Sequence, residues 1–292
     1  MKDLFGNEII ENPLLRDKFI EPPFSILDTK TASWVRRKNE WKKLNIKSEI
    51  GRDIKGQKTS QRAGDVDYIR NGKKDKSHYV SIFDPALCEV LYHWFCPDNG
   101  TILDPFAGGS VRGIVANYLN YNYVGVDIRP EQIESNINQA NEIIPDKKPL
   151  WICGDSDKEI DKIQHNEFDM IFTCPPYADL EVYSDIEGDI SNMNYDDFLC
   201  SYRSIIEKAC RKLKKGGFAV FVVGEVRDKK SGNYIGFVPD TIKAFQHIGM
   251  DFYNEAILLN PIASASMRAN GNMKTKKLVK IHQNVLVFKK DA

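Results

Sequence analysis

The stretch GTILDPFAGGSVRGIVANYL, residues 100–119, decides the fold. A short apolar run ends at Asp104, and a turn rich in small residues follows it. Beyond the turn, apolar side chains recur at helical spacing, at Val111, Ile114, Val115 and Leu119. The stretch therefore predicts a β-strand, a tight turn and an α-helix.

The same alternation continues along the chain. Strand-like runs follow at 123–128, 149–155, 168–174 and 217–226, and helix-like segments at 130–144 and 195–217. Near-continuous apolar strands that alternate with helices predict a mostly parallel sheet covered on both faces. The last two runs, 251–260 and 283–290, are separated by a basic loop and predict an antiparallel pair at the sheet edge. We expect an α/β fold with seven strands and a C-terminal antiparallel hairpin.

The N-terminal region differs in character from the rest. Residues 46–78 are rich in Gly, Lys and Ser and have no apolar period, which predicts a mobile loop. The segment 84–95, DPALCEVLYHWF, predicts a helix that packs on the sheet. We therefore expect an N-terminal extension over residues 1–78 and a catalytic domain over residues 79–292, with a basic loop at 261–280 as the candidate recognition element.

Composition excludes several classes of protein. The chain has 292 residues, of which 42% are hydrophobic and 28% charged, as in a globular protein. No apolar run approaches the roughly 20 residues that a membrane span needs, and the first residues lack the order of a signal peptide. The six cysteines form no C-x-x-C pair. We expect a reduced, cytoplasmic protein without disulfides or a bound metal.

The charge is balanced but unevenly distributed. The whole chain has 41 basic and 41 acidic residues, whereas residues 30–78 contain 15 basic against 6 acidic ones. A second basic segment, 264–280, has five basic residues and no acidic one. Each segment alone is explained by solvated surface. Two of them beside an acidic body favour a nucleic-acid partner.

Three successive strands end in a carboxylate, at Asp104, Asp127 and Asp155. Asp127 is positioned to accept hydrogen bonds from the ribose hydroxyls of an adenosine-containing ligand, and Asp155 from an adenine amino group. The turn after Asp104 has neither the G-K-S/T of a phosphate loop nor a clean G-x-G-x-x-G. Strand-end Asp residues also cap helices, which is the structural alternative. Together the three outline a crevice at the carboxyl edge of the sheet.

The fourth strand brings TCPPY, residues 173–177, to that edge. DPFAGGS followed by TCPPY resembles the amino-group DNA methyltransferases, which methylate adenine N6 or cytosine N4 with S-adenosylmethionine. The resemblance extends over about residues 81–290, with SIFDPALCEVL as the cofactor-contacting segment and HQNVLVFKK as the closing strand. The motif order is similar to the γ type, and the chain is similar to phage-borne and prophage-borne members.

The resemblance implies a Rossmann-like class I methyltransferase fold, S-adenosylmethionine as cofactor and double-stranded DNA as partner. It implies a site-specific enzyme in a bacterial or phage-infected cell, of the kind found in restriction-modification systems. The implied cofactor-binding residues are Phe83, Pro85, Asp104, Phe106, Ala107, Gly108, Gly109, Ser110, Asp127, Ile128, Asp155 and Thr173. The implied catalytic residues are Cys174, Pro175, Pro176 and Tyr177, and the candidate DNA-phosphate contacts are Arg268, Lys274, Lys276 and Lys277.

The chemistry explains the Pro-Pro-Tyr segment. An exocyclic amino group is a poor nucleophile, because its lone pair is conjugated with the ring. The resemblance implies that the Cys174 side chain and the Pro175 carbonyl accept hydrogen bonds from that nitrogen. It also implies that Tyr177 stacks on a base flipped out of the duplex. The prolines fix the backbone rigidly, so catalysis is orientation and desolvation without a metal.

Two positions depart from the family pattern. Cys174 replaces the usual Asp, Asn or Ser, and a thiol is a weaker acceptor than any of these. Cysteine is closest in size to serine, and the S-P-P-Y form is associated with cytosine N4 methylation, which we favour over adenine N6. Ser110 replaces a later glycine of the turn.

Several alternatives remain open from the sequence. Covalent cytosine C5 methylation through a thiolate uses Pro-Cys, whereas this chain has Cys-Pro. Related motifs serve methylation of RNA and of protein glutamine, and a DNA-binding relative with weak catalysis is a further possibility. The segment 33–44, SWVRRKNEWKKL, either clamps DNA or docks Trp34 and Trp41 on the core. The acidic segment 179–197 is interpreted as a solvated loop, with a cover over the cofactor as the alternative.

Overall fold

The structure is a computed structural model that describes residues 21–46, 83–165, 167–177, 186, 188–228, 230–260 and 265–291, without the side chains of Met267 and Arg268. The strands are β1 Ile26–Asp28, β2 Thr101–Asp104, β3 Asn122–Asp127, β4 Leu150–Cys153, β5 Phe168–Thr173, β6 Leu213–Val223, β7 Met250–Leu259 and β8 His282–Lys290. The helices are α1 Ala32–Lys43, α2 Pro85–Phe95, α3 Val111–Tyr118, α4 Pro130–Ile143, α5 Ser156–Lys162, α6 Tyr195–Arg211, α7 Phe237–His247 and α8 Ala265–Lys274.

The eight described strands form one sheet in the order β1-β7-β8-β6-β5-β2-β3-β4. All neighbouring pairs are parallel except the two that β8 makes, with β6 and with β7. The predicted α/β fold with a mostly parallel sheet and an antiparallel C-terminal pair is confirmed. Three parallel strands thus end side by side at the edge where Asp104, Asp127 and the 173–177 segment lie.

The sheet differs from the expectation in one strand. β1 pairs in parallel with β7, with Ile26 opposite Ile257 and Asp28 opposite Leu259. The strand count among the described residues is therefore eight instead of seven, and β7 lies inside the sheet instead of at its edge. A three-residue strand is too short to show a period in the sequence, and its pairing partner is more than 200 residues away.

Side chains alternate between two cores because both faces of the sheet are covered. In β6, Val220 and Val222 face one core, whereas Phe221 faces the other. The first core contains residues of α1 to α4, and the second contains residues of α5 to α7. This alternation across apolar strands is what a doubly covered sheet requires.

The N-terminal helix α1 docks on the core, as one interpretation of the segment 33–44 predicts. Trp34 and Trp41 are 1% and 4% exposed, and their indole N–H groups donate to Asp84 and Glu89 of the α2 region, at 3.2 and 2.6 Å. Because both rings are buried, stacking of these tryptophans on DNA is contradicted. The domain boundary at residue 78 stays a prediction, and the loop predicted at 46–78 lies almost wholly outside the described residues.

The predicted basic loop at 261–280 is partly helical. Residues 261–264 lie outside the described part, α8 spans Ala265–Lys274, and residues 275–281 lead into β8 without regular structure. In the described part of the chain, no helix has the length and apolar character that crossing a bilayer requires. The six cysteines all fall within that part and form no disulfide.

Candidate active site

A cavity of about 570 Å³ runs along the carboxyl edge of the sheet. It extends from the β4 end, where Asp155 lies, past Asp127 and the 174–177 segment to Leu258 at the end of β7. The volume lies within the range of small-molecule sites, roughly 300–1,000 Å³. The edge predicted from the three strand-end carboxylates is thus a continuous crevice.

Asp104 lies beneath this cavity, not in its wall. The carboxylate is fully buried and accepts from Arg112 Nε at 2.5 Å, Tyr123 Oη at 2.7 Å and Thr173 Oγ1 at 2.6 Å. It also accepts from the backbone N–H of Phe106 at 3.1 Å. The network therefore ties β2, β3, β5 and α3 together under the glycine-rich turn.

The charge of Asp104 affects its buried partners. Burial alone would lower the pKa of Arg112, but the attraction and hydrogen bond of Asp104, together with the influence of Tyr123 and Cys174, outweigh burial, and the pKa lies above its ordinary value. Burial and then Asp104 raise the pKa of Tyr123 well above its usual range. Arg112 therefore stays a cation and Tyr123 a neutral donor, and both hold the turn from below.

The glycine-rich turn approaches the cavity with its backbone. Gly108 adopts a left-handed φ of 50° and donates its N–H to Asp127 Oδ2 at 2.9 Å. Phe106, Gly108 and Gly109 line the cavity. Ala107 and Ser110 do not line it: Ala107 is buried, and Ser110 Oγ donates to Gln139 at 2.8 Å. The two buried residues thus support the turn, and its glycines face the ligand space.

Asp127 and Asp155 both border the cavity, together with Ile128. Asp127 accepts the backbone N–H of Arg129 at 2.9 Å through Oδ1. Asp155 caps α5 by accepting from Asp157 N at 3.0 Å and pairs with Lys158 at 3.2 Å. The helix-cap alternative is thus correct for Asp155, which nevertheless remains part of the wall. Each carboxylate has four acceptor positions, so neither contact prevents bonding to a ligand.

The segment before α2 supplies a further part of the cavity wall. Phe83 lines the cavity, packs edge-on against Phe172 with ring centroids 5.8 Å apart, and lies under the Arg112 guanidinium at 4.8 Å. Pro85 is buried at the first turn of α2 and does not line the cavity. Thr173 likewise points into the Asp104 network.

Cys174, Pro175, Pro176 and Tyr177 follow β5 and all line the cavity. The Tyr177 hydroxyl accepts a hydrogen bond from Gln283 Nε2 at 2.8 Å, and its ring meets Phe237 edge-on with centroids 5.8 Å apart. The tyrosine ring is thus held from β8 and α7 at the cavity wall. The chain therefore brings all four predicted catalytic residues to the space that the glycine-rich turn borders.

Three of the predicted DNA-contacting residues, Lys274, Lys276 and Lys277, lie away from the cavity wall. Lys274 and Lys276 are exposed, and Lys277 is half-buried beside Gly232. Arg268 lies in α8, but its side chain is outside the described residues. Their role as DNA-phosphate contacts stays a prediction.

The cavity also contains residues that the sequence did not single out. Gln283 is the second residue of β8, and only the sheet order places it beside Tyr177. Lys38 of α1 and Asp84 reach the wall together, although 46 residues separate them. Asp84 has a recognisable signal, since an Asp before a Pro that begins an apolar helix is a typical N-cap. Gly188 and Ile190, from the segment interpreted as a solvated acidic loop, line the cavity as well.

An α/β sheet with a glycine-rich turn and a strand-end Asp at its carboxyl edge defines a protein that binds a nucleoside-containing cofactor. The chain matches the N6/N4 DNA methylase family over residues 21–140 and 168–292 and belongs to that family. The resemblance seen in the sequence is thereby confirmed. The matched residues include β1 and α1, which the sequence had assigned to an extension.

Individual relatives are more distant. Type II methyltransferase M.SfiI of Streptomyces fimbriatus is 25% identical over 104 residues, which cover 35% of this chain and 24% of that protein. Among solved structures, TrmN from Thermus thermophilus is 13% identical with a TM-score of 0.48 and covers 71% of this chain and 49% of that one. A TehB-like SAM-dependent methyltransferase from Corynebacterium glutamicum is 17% identical with a TM-score of 0.42, covering 78% of this chain and 99% of that one.

The cofactor of this family is S-adenosylmethionine, and the cavity fits it. A carboxylate at a strand end suits the ribose hydroxyls, and Ile128 and Phe106 provide apolar walls for a ring system. The exposed backbone of Gly108 and Gly109 leaves room for close approach of a ligand. The donor and acceptor chemistry of the wall therefore agrees with the cofactor that the family uses.

Proposed function

We propose that the protein methylates an exocyclic amino group of a base flipped out of double-stranded DNA, and that the base is cytosine, modified at N4. The observation that carries this proposal is the shared cavity. The 174–177 segment and the glycine-rich turn border one space, so an amino group held by the former lies next to the cofactor held by the latter.

The residues of the 174–177 segment orient the amino group. The Pro175 carbonyl accepts one of its hydrogens, and Cys174 provides a weaker second acceptor. Proline has a fixed φ, so the carbonyl is aimed by the backbone and not by a side-chain rotamer. When bound, S-adenosylmethionine supplies an electrophilic methyl group. Holding the nitrogen at the correct distance and angle then contributes most of the rate enhancement.

Tyr177 receives the base. Its hydroxyl is bonded to Gln283 and its edge rests on Phe237, so the ring plane is set before the base arrives. Stacking of a base on an aromatic ring contributes about 1–3 kcal/mol. This preorganisation favours a flipped base over a base that remains in the duplex.

Cysteine at position 174 supports cytosine N4 over adenine N6. Its side chain is closest in size to serine, and the serine form of the motif is associated with N4 methylation. A smaller residue than Asp or Asn leaves the position of the amino group to the Pro175 carbonyl. The experiment that tests the base is methylation of DNA by the purified protein, followed by digestion and mass spectrometry of the nucleosides. N4-methylcytosine is the expected product, and N6-methyladenine would assign the other amino group.

The Cys174→Ser variant separates orientation from covalent catalysis. If Cys174 is only a hydrogen-bonding group, serine keeps or raises the rate of methyl transfer. If it forms a covalent bond with cytosine C6, serine abolishes nearly all activity and C5-methylcytosine is the product of the unmodified protein.

The substrate class has its own test. Labelled methyl transfer to DNA, to RNA and to protein is measured in parallel, and methylome sequencing of expressing cells identifies the recognition sequence. Transfer to RNA or protein alone would replace DNA as substrate. Cofactor binding without transfer to any of the three would identify a DNA-binding relative that has lost efficient catalysis.

A further inference from the structure

The basic groups in the cavity wall differ in what they can still bind. Among the described residues three of them line the cavity, Lys38, Arg112 and Arg129. Below the turn, Arg112 donates to Asp104, and it also donates to the carbonyls of Phe106 and Ala107 at 2.6 and 2.9 Å. The side chain of Arg129 is 6% exposed, lies at the Asp127 end and donates to Gln132 at 2.6 Å. Both guanidinium groups are therefore largely buried and bonded to acceptors of the protein.

Lys38 has a different environment. Its side chain is 34% exposed, and its ammonium lies 2.8 Å from Asp84 Oδ2 at the cavity wall. The Asp84 side chain is 12% exposed and also accepts from Ala86 N at 3.0 Å as the N-cap of α2. An ammonium has three donors and a carboxylate four acceptor positions, so each group retains capacity for a ligand. The wall therefore carries a positive and a negative group side by side.

Helix α1 holds Lys38 firmly in that place. The Arg37 guanidinium and the Trp41 indole both donate to Glu89, a carboxylate that is fully buried in α2. Trp34 adds a bond to Asp84 itself. Side chains one residue before and three residues beyond Lys38 on α1 thus fix the helix on α2. Lys38 therefore belongs to a helix that is packed on the core.

The position of the pair along the cavity indicates its ligand. The adenosine part of the cofactor belongs at the Asp127 and Asp155 end, where the ribose and ring contacts are available. With the adenosine part at that end, the amino-acid part would lie nearer the part of the wall that Phe83 forms. Asp84 follows Phe83 directly, and Lys38 is bonded to it. The amino-acid part of S-adenosylmethionine is a zwitterion, with one carboxylate and one ammonium.

We propose that Lys38 and Asp84 form the binding site for this zwitterion. The Lys38 ammonium pairs with the α-carboxylate, and the Asp84 carboxylate accepts from the α-ammonium. The N-terminal helix α1, which lies outside the turn and Pro-Pro-Tyr motifs, is thereby a functional part of the cofactor site. The proposal concerns cofactor binding alone and does not depend on which substrate is methylated.

Calorimetric titration without DNA tests the lysine. The ligand is S-adenosylhomocysteine, and the comparison ligand is its decarboxylated form, which lacks only the α-carboxylate. We expect Lys38→Met to weaken binding of S-adenosylhomocysteine about tenfold or more, because it removes a charge-assisted hydrogen bond to the α-carboxylate. Binding of the decarboxylated ligand should change less than about twofold, because the lost partner is absent from that ligand. Lys38→Arg should keep most of the affinity for S-adenosylhomocysteine.

Lys42→Met is the matched control, because it removes the same charge from the exposed side of the same helix. It should leave both affinities unchanged. Equal loss for both ligands in Lys38→Met would mean that the lysine acts only through the structure of α1, and this would overturn the proposal. Unchanged affinity for S-adenosylhomocysteine together with weaker DNA binding would assign Lys38 to DNA instead.

The Asp84→Asn variant tests the second half of the site. Asparagine keeps the N-cap of α2 but loses the negative charge. We expect weaker binding of S-adenosylhomocysteine and of its decarboxylated form, since both have the ammonium. Binding of methylthioadenosine, which lacks the whole amino-acid part, should remain the same. A comparable loss for methylthioadenosine would show damage to the cavity and would contradict the assignment of Asp84.

Discussion

The region beneath the glycine-rich turn and the basic segment 265–280 represent opposite ways of placing charge. Under the turn, Asp104 and Arg112 are buried and bonded to each other at 2.5 Å. In the basic segment, Lys274 and Lys276 are exposed to solvent. The first region uses charge to fix a backbone, whereas the second leaves its charge exposed to solvent.

The two regions therefore require different measurements. Buried charges act on the free energy of unfolding, since an unpaired ion in the core is strongly destabilising. Exposed charges act on association and on its salt dependence, and they contribute little to stability. Substitutions in the two regions should therefore separate cleanly between folding and binding experiments.

The largest expected effect is that of Asp104→Ala. It leaves Arg112 buried without a carboxylate, which should lower the free energy of unfolding by about 3–5 kcal/mol. Urea denaturation measures the change. The matched control is Asp98→Ala, an exposed position six residues earlier, which should change stability by less than about 0.5 kcal/mol. Equal losses at the two positions would remove the distinction between buried and exposed charge.

The next effect is expected at the contact between α1 and α2. Glu89→Gln keeps the shape of a fully buried side chain but removes the charge that Arg37 and Trp41 bind. We expect a loss of about 1–3 kcal/mol, because Arg37 is partly exposed and regains water. Glu40→Gln, on the exposed side of α1, should have almost no effect in the same denaturation experiment. No loss for Glu89→Gln would mean that α1 is held by its tryptophans alone.

A smaller effect is expected at Tyr177, which is half-buried at the cavity wall. Tyr177→Phe retains the ring and loses the bond to Gln283, so methyl transfer should slow about fivefold as a lost hydrogen bond contributes about 1 kcal/mol. Stability should change little, since the side chain borders the cavity. Tyr253→Phe on β7, which is 51% exposed, should leave the rate unchanged. A rate loss as large as that of Tyr177→Ala would show that the hydroxyl, and not the ring, is the important group.

The smallest effect per residue is expected in the basic segment. Replacing Arg268, Lys274, Lys276 or Lys277 singly by Gln should weaken DNA binding similarly on all sequences. Each replacement should also reduce the slope of log affinity against log salt by about 0.9. Filter binding over a salt series measures this, with Lys162→Gln on α5 as an exposed control. An unchanged slope would remove that residue from the DNA contact surface.

The sequence predicted the parts of the site that depend on local chemistry. The strand, the turn and the helix at 100–119 are recognisable because apolar spacing and small residues have local causes. The segment 173–177, predicted to be catalytic, is recognisable because two prolines after an apolar strand are rare. Asp127 and Asp155 could be placed at the crevice because parallel strands end at one edge of the sheet.

The roles within the predicted set required the tertiary structure. Asp104, Ser110 and Thr173 are as polar in the sequence as Asp127 is, yet they bond to buried partners below the turn. Their partners lie on other strands and helices, so local sequence has no information about which oxygen faces the ligand. The same holds for Gln283, whose contact with Tyr177 spans 106 residues.

The sequence by itself determined the class of fold, the edge at which the cavity lies and the position of the glycine-rich turn and of the Pro-Pro-Tyr segment at that edge. Those features follow from residue type and spacing within about 20 residues. The tertiary structure decided that β1 and α1 join the sheet and core, that Asp104 is a support and that Lys38 meets Asp84 at the cavity. The physical reason is that burial and charge pairing are set by which elements pack together, and those elements are far apart in the chain.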